Sequence, residues 1–367
     1  MRPPQSGYMT NSNIVNHRLY NQQITNQKFN KPEQVVSWLG AVQAQDYRNS
    51  LWAIGLRAKN VVEQDIEKAI ADRAIVRTWP MRGTLHFIAA EDIRWMLNLL
   101  TPQIVARAAR RFKELELDEK TFTKSKKLII KALQGGKQLS RKSIFDILEK
   151  SKIEPSNQRG IHILWKLSQE GLTCFGSHEG KQPTFALLDE WIPVSKTLHR
   201  DEALAEIAIR YFSSHGPATL QDFAWWSGLP AEAARTALKL SESHLVKNVV
   251  KEQAYFMSPN IPAGKKKQTC FLLPDYDEFM VAYKDRSASL DTKHKDFVYS
   301  GNGIFYPIIV VNGKVVGKWR REIKKDKVKI RTNLFIQLNK AQYNSIAREA
   351  EKFAKFIDKT VIPISLK

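Results

Sequence analysis

The segment Gln43-Ala44-Gln45-Asp46 places two carboxamides and a carboxylate within four residues. A carboxamide accepts a hydrogen bond through its oxygen and donates through its nitrogen. Two of them one residue apart can hold and orient a water molecule. No lysine adjoins the motif, so it offers no imine-forming nucleophile. Each residue also has a plainer role open to it. Gln43 and Gln45 would serve to satisfy backbone groups where a helix ends. Asp46 would serve to cap a following helix over residues 49–58.

Positioning these groups falls to the stretch 35–86. Val35, Val36, Trp38, Leu39 and Val42 follow helical spacing, and Pro32 stands near the start, where its missing N–H costs little. The spacing predicts a buried helix running into the Gln motif. A short helix follows over 63–72. Residues 75–79 and 84–88 are strand-like, and Pro80-Met81-Arg82-Gly83 between them has the residue types of a turn. Helix, short helix and basic-tipped hairpin form a winged helix-turn-helix pattern.

The order helix, helix, hairpin recurs at roughly 80-residue intervals with little shared sequence. In the second occurrence Ser140 is the expected N-cap of a helix and Gly135-Gly136 ends the one before it. In the third, Thr219 caps LQDFAWWSGL and Pro230 opens AEAARTALKL. After Pro259 the texture changes. A basic linker with Pro262, Gly264 and Lys265-Lys266-Lys267 leads to short strands, FMVAY among them, and Asn312-Gly313 marks a hairpin. A helix over 341–357 closes the pattern. The expected fold class is mainly α with β: three tandem winged helix-turn-helix units, then a small β-rich, barrel-like C-terminal domain. The expected boundaries are 14–118, 119–195, 196–258 and 268–340, with 341–367 as helix and tail. Residues 1–13 read as disordered or as a start-site artefact, and 14–29 as a polar helix.

Composition narrows the partners. The 367 residues carry 58 Lys and Arg against 37 Asp and Glu, a formal net charge of +21. Such a surface attracts polyanions. No apolar run approaches the roughly 20 residues of a membrane span, and the N-terminus lacks the apolar core of a secretory signal. The two cysteines, Cys174 and Cys270, stand far apart, which fits a reducing cytoplasm and excludes a zinc finger or an iron–sulfur cluster. Phosphate loops, GxSxG elbows, HExxH and GxGxxG in supporting context are missing, which argues against an NTPase, a serine hydrolase, a zincin and a dinucleotide enzyme.

Longer stretches carry a resemblance. VQAQDY, RTWPMRGTLHFIAAEDIRWML, GKQPTFALLDEW, GPATLQDFAWWSGL, LLPDYDEFMVAYKDRS and NGKVVGKWRR are similar to the tandem winged-helix proteins related to the azinomycin-resistance DNA glycosylase, the AlkZ-like (helix-turn-helix 42) family. The resemblance runs from about residue 15 to about residue 340. It implies three winged helices with a C-terminal β domain, and excision of N7-alkylated purines, crosslinked ones included, without a cofactor. The family's Gln-x-Gln motif maps onto Gln43 and Gln45. A sister branch uses Gln-x-Asp, so Asp46, next in line, is a third catalytic candidate. A cationic N7-alkylguanine leaves C1′ readily, so a weak catalyst suffices, and the expected reaction is monofunctional base excision without strand cleavage.

The DNA-contact candidates are Arg48, Arg77, Arg82, His86, Arg159, Lys181, Lys318, Trp319, Arg320 and Arg321. Along residues 318–331, charges alternate on strand-like sequence beside Trp319, as a phosphate-gripping face would. His86 alternates with Leu85 and Phe87, a pattern that also suits a satisfied core histidine. Trp79, Trp95 and the pair Trp225-Trp226 read as core. Asp275, Tyr276, Asp277 and Glu278 form an acidic patch with an expected structural role, pairing Lys284 or Arg286. The expected partner is duplex DNA, bound by a monomer in the cytoplasm at the nucleoid, without a metal or a membrane. Two function classes remain, a DNA glycosylase and a non-enzymatic winged-helix DNA-binding protein or regulator, because the fold serves both.

Overall fold

The computed structural model describes residues 11–180, 182–259 and 269–363. The basic linker of 260–267 lies outside the described residues, as does Lys181. The chain falls into two compact units, residues 67–203 and residues 1–66 with 204–367.

In unit 67–203 the strand Ile75–Met81 turns into Thr84–Ala89 through Arg82 (φ 52°) and Gly83 (φ 73°). Two consecutive positive φ values define the tight turn that matches strand twist. The turn is therefore shorter than the sequence suggests, and Pro80 is carried inside the strand at an irregularity between Thr78 and Met81. Proline is tolerated there because a bulge asks for no ladder N–H. A second hairpin, Thr173–Glu179 with Gln182–Leu187, joins the first through Arg77 opposite Phe175. Within this unit one sheet thus runs Thr84–Ala89, Ile75–Met81, Thr173–Glu179, Gln182–Leu187, Leu139–Ser140. Trp79, Phe175 and Phe185 on it pack with Phe112, Phe122, Ile129, Leu148 and Ile163. Asp118 and Ser140 cap the helices Glu119–Leu133 and Arg141–Lys150 by accepting from the backbone N–H groups of Thr121 and Ser143.

In the other unit, helix Pro32–Leu39 has Pro32 in its first turn and stops at Gly40 (φ 79°). A side chain at residue 40 would be strained there, and a Cβ would also stand 3.3 Å from the Trp226 ring. The Gln motif therefore follows the helix instead of lying on it: Val42–Gln43 is a short strand. Helix Tyr47–Gly55 comes next, two residues earlier than the spacing predicts. The helix at the N-terminal end spans Asn11–Asn21 and falls short of 29. Thr219 and Asp222 make a reciprocal capping box on helix Leu220–Ser227. Helix Ala231–Ser241 and the hairpin Val246–Val250, Gln253–Met257 follow.

The C-terminal sheet is curled and runs Thr360–Ile362, Lys327–Leu334, Lys314–Lys324, Ile308–Val311, Cys270–Leu273. Helix Lys340–Phe356 packs on it: Phe353 meets Trp319 at 5.2 Å and Trp52 at 5.3 Å between ring centroids. Gly55 lies against Phe356, where a Cβ would collide with the ring. The segment FMVAY is not a strand. Asp277 accepts the Phe279 N–H at 2.9 Å and starts the short helix Glu278–Val281 instead. Trp226 is fully buried, as expected of a core residue, whereas Trp225 is 44% exposed.

Candidate active site

The strand Val42–Gln43 is pinned from below by a buried carboxylate. The Gln43 backbone N–H donates to Glu278 Oε1 at 3.1 Å, and Trp226 Nε1–H donates to Glu278 Oε2 at 3.1 Å. Glu278 is 1% exposed. His215 Nε2 stands 3.5 Å from Glu278 Oε2. Burial holds this imidazole below its usual 6.5, against the opposing pull of Glu278. Ser214 Oγ donates to the Arg210 carbonyl at 2.6 Å, so its lone pair receives the His215 Nδ1–H at 2.8 Å. That assignment makes Nε2 an acceptor. Gln43 is itself buried, and Gln45, one strand repeat further, is exposed.

Asp46 ends the motif as a helix cap, its Oδ1 accepting the Asn49 N–H at 2.9 Å. The Asn49 side chain turns the other way and donates to Asp275 Oδ2. One asparagine therefore ties together two carboxylates far apart in sequence. Asp275 stands in the turn Pro274-Asp275-Tyr276, where Tyr276 takes a left-handed φ of 55°. That conformation is costly for a residue with a Cβ and tends to gather at functional sites. Burial, and then the charge of Asp46, push the Asp275 carboxyl up to about 6, with Arg321 pulling the other way. The Tyr276 hydroxyl is raised by burial and by Asp275, Asp46 and Tyr306.

The turn continues into Asp277, which pairs bidentately with Arg57 at 2.8 Å on both oxygens. Arg57 is fully buried and also donates to Gln22 Oε1 at 3.0 Å. The acidic patch thus pairs neither Lys284 nor Arg286. Its three acids serve three separate duties, at Asn49, Arg57 and Gln43.

Sequence similarity meets this geometry at one point. The profile described as DNA glycosylase AlkZ-like matches residues 36–356, a span that holds the Gln motif, the acidic turn and the sheet behind them. The chain belongs to the AlkZ-like DNA glycosylases. The interstrand DNA cross-link repair glycosylase of Streptomyces sahachiroi is 24% identical to it over 306 residues, covering 78% of this chain and 81% of that protein. The solved structure of the Streptomyces sahachiroi DNA glycosylase AlkZ shares the fold, with a TM-score of 0.81 and 19% identity over 97% of this chain and 100% of that one. Membership decides between the two function classes in favour of the enzyme, and its substrate is DNA.

In this AlkZ-like enzyme the DNA-contact candidates scatter. Trp319 is 2% exposed, and its Nε1–H donates to the Leu273 carbonyl at 2.8 Å, so it is a core residue and presents no ring to DNA. His86 is fully buried, with Nδ1 2.9 Å from the Thr84 carbonyl and Nε2 3.3 Å from Arg82 Nη2. It is the satisfied histidine that its alternation allows. Arg77 is 8% exposed over the Phe175 ring. Arg82 tips its hairpin half-buried. Arg159 spends its guanidinium on the Glu154, Leu115 and Glu116 carbonyls.

On the C-terminal hairpin, register sorts the rest. Arg320 opposite Arg331, Glu322 opposite Lys329 and Lys324 opposite Lys327 share one face, and Trp319 and Arg321 share the other. Arg320 is exposed accordingly, whereas Arg321 is desolvated among Asp46, Asp275 and Glu63, with Arg48 near. Arg321 therefore balances the carboxylates and does not join the basic face. Lys318 lies with its ammonium 4.5 Å over the Tyr306 ring, its pKa lowered by burial and by Arg320. Among the described residues no group of three or more His, Cys, Asp or Glu is arranged to hold a metal ion, and no helix is long and apolar enough to cross a membrane.

Sequence reasoning missed Asp275, Glu278 and Asn49 as parts of the site. The signal available was local, a Pro-Asp-Tyr-Asp-Glu run in a strongly basic chain.

Proposed function

We propose that this enzyme is a monofunctional DNA glycosylase that hydrolyses the N-glycosidic bond of N7-alkylated purines in duplex DNA, bulky and crosslinked ones included. Exposed Gln45, at the end of a strand anchored through Glu278, carries the reading. Its carboxamide holds the attacking water, and Gln43, buried one repeat earlier, fixes the strand's orientation. Attack at C1′ breaks the C1′–N9 bond, and the bond's electron pair neutralises the cationic base. No acid is needed for departure. The positive charge that gathers on the sugar is met by the Asp46 and Asp275 carboxylates. Duplex DNA is gripped by phosphate contacts from Arg320, Lys324, Lys327 and Lys329, with Arg48, Arg82 and Lys181 as further contacts on winged helix-turn-helix units; Arg77, buried, and Arg159, held by carbonyls, are left out of this grip. The enzyme works as a monomer at the nucleoid.

The test is incubation with duplex carrying 7-methylguanine. Wild type is expected to release the base and leave an abasic site that breaks only after alkali. Gln45→Ala is expected to bind DNA normally and release little base, with Gln43→Ala weaker in both respects. A borohydride-trapped adduct, with Lys318 the lysine to examine first, would refute the monofunctional reading.

A further inference from the structure

We infer that Asp275 is a further catalytic residue of this site, the group that takes the proton from the water as it attacks C1′. The inference rests on the glycosylase reading above and names the base that it leaves unassigned. The water's oxygen bonds to C1′, and the C1′–N9 pair departs onto the purine. One water proton passes to Asp275 Oδ1 and leaves to solvent before the next turnover. The other remains on the new sugar hydroxyl.

Three observations single out Asp275 among the neighbouring groups. Asp46 is committed as a helix cap, its Oδ1 already taken by the Asn49 N–H at 2.9 Å. Gln45 is a neutral amide and accepts a hydrogen bond without accepting a proton. Asp275 has one oxygen held by Asn49, and Asn49 is itself fixed by Asp46 through its backbone N–H, so the carboxylate is oriented beside the motif. A purely structural carboxylate has little reason to sit there. Placing it beside Asp46 in a partly desolvated turn adds repulsion that an asparagine would avoid. The groups facing it are Asp46 from the helix cap, Tyr276 with its hydroxyl (itself beside Tyr306), and Arg321 from the sheet, with Glu63 and Arg48 beyond the arginine. Burial and Asp46 bring the carboxyl to about 6, close to the working pH, where a general base is most effective.

Asp275→Asn tests this, because its amide oxygen can still accept from Asn49 while the proton acceptor is gone. In single-turnover release of 7-methylguanine, the wild-type rate is expected to rise from pH 5 to pH 7 with a midpoint near 6. Asp275→Asn is expected to lose about 100-fold at pH 7.5, to lose the pH dependence, and to keep both DNA affinity and melting temperature. Asp46→Asn retains the cap and removes the neighbouring charge, so its profile should shift to lower pH. Arg321→Gln should shift it to higher pH. Asp275→Asn within about threefold of wild type, or a wild-type profile flat from pH 5 to 8, overturns the inference. With wild type active and Gln45→Ala inactive, that result removes Asp275 alone. If wild type releases no base, the glycosylase reading falls and this inference with it.

Discussion

Glu278 is the support on which the Gln strand rests, and Glu278→Gln should expose it. The substitution keeps size and shape but replaces one acceptor oxygen by an NH2 donor. The groups that face the head include the Gln43 N–H at 3.1 Å, the Trp226 Nε1–H at 3.1 Å and the His215 Nε2 acceptor at 3.5 Å. The best arrangement puts the amide oxygen under Gln43 and the amide NH2 toward His215. The indole N–H is then left facing a donor in a buried site. An orphaned buried donor costs about 2 kcal/mol, or a fall in Tm of roughly 4–8 °C for a unit of this size. If the strand relaxes by about 1 Å, base release should drop by about 100-fold with DNA affinity intact. Thermal melting, single-turnover release and DNA titration measure the three. The decisive variant combines Glu278→Gln with Trp226→Phe. Removing the indole N–H removes that clash of two donors, so the two changes should couple favourably by at least about 1 kcal/mol. Additive losses, or a Glu278→Gln protein as stable and as active as wild type, would refute the account of the anchor.

Other perturbations follow from the same geometry. Asp277→Ala strands the fully buried Arg57 guanidinium and should cost about 3–5 kcal/mol, read by chemical denaturation. Gly55→Ala should destabilise by about 1–3 kcal/mol, since the new methyl meets the Phe356 ring and any gain in helix propensity is smaller. His215 is neutral in the folded state with its pKa below 6.5, so unfolding takes up a proton in acid; the stability it contributes is complete above about pH 6.5 and declines as pH falls below that. Melting from pH 7.5 to 5 should show the decline, and His215→Gln should flatten it. Replacing Arg320, Lys324, Lys327 and Lys329 by Gln should reduce the salt slope of DNA binding by about 0.9 for each phosphate no longer neutralised. An unchanged slope would mean that this face does not meet the backbone.

Elements with a local chemical cause were legible in sequence. The Thr219 cap, the Ser140 cap, Pro32 in a first turn and the Asn312-Gly313 turn all act within four residues, and the structure has each of them. Two other readings failed. Helical spacing in 35–42 ran past Gly40, but a left-handed glycine packed on Trp226 ends the helix, and the motif continues as strand. The apolar run FMVAY looks like a strand until Asp277 caps it as a helix. The joining of two hairpins into one sheet depends on a single pairing of Arg77 with Phe175, which no spacing announces.

The site was legible at one end only. Gln43 and Gln45 stand out because amides at an element's end are unusual, but their supports lie about 230 residues away along the chain, at Asp275 and Glu278. What could have been read is the sign of the charge. In a chain of net charge +21, a Pro-Asp-Tyr-Asp-Glu run works against the surface field, and so does each buried carboxylate it supplies. The cost is offset only if something cationic stands opposite. Arg57 answers Asp277 and, in part, Arg321 answers Asp275 and Asp46. Two carboxylates against one desolvated arginine leave a net negative remainder beside Gln45. On the proposed mechanism, a sugar passing through an oxocarbenium-like state as it parts from a cationic purine would supply the missing charge at the moment of reaction. On that proposal the basic face and the acidic turn divide the work: one would hold a polyanion by its phosphates, and the other would receive the positive charge that forms when the base leaves.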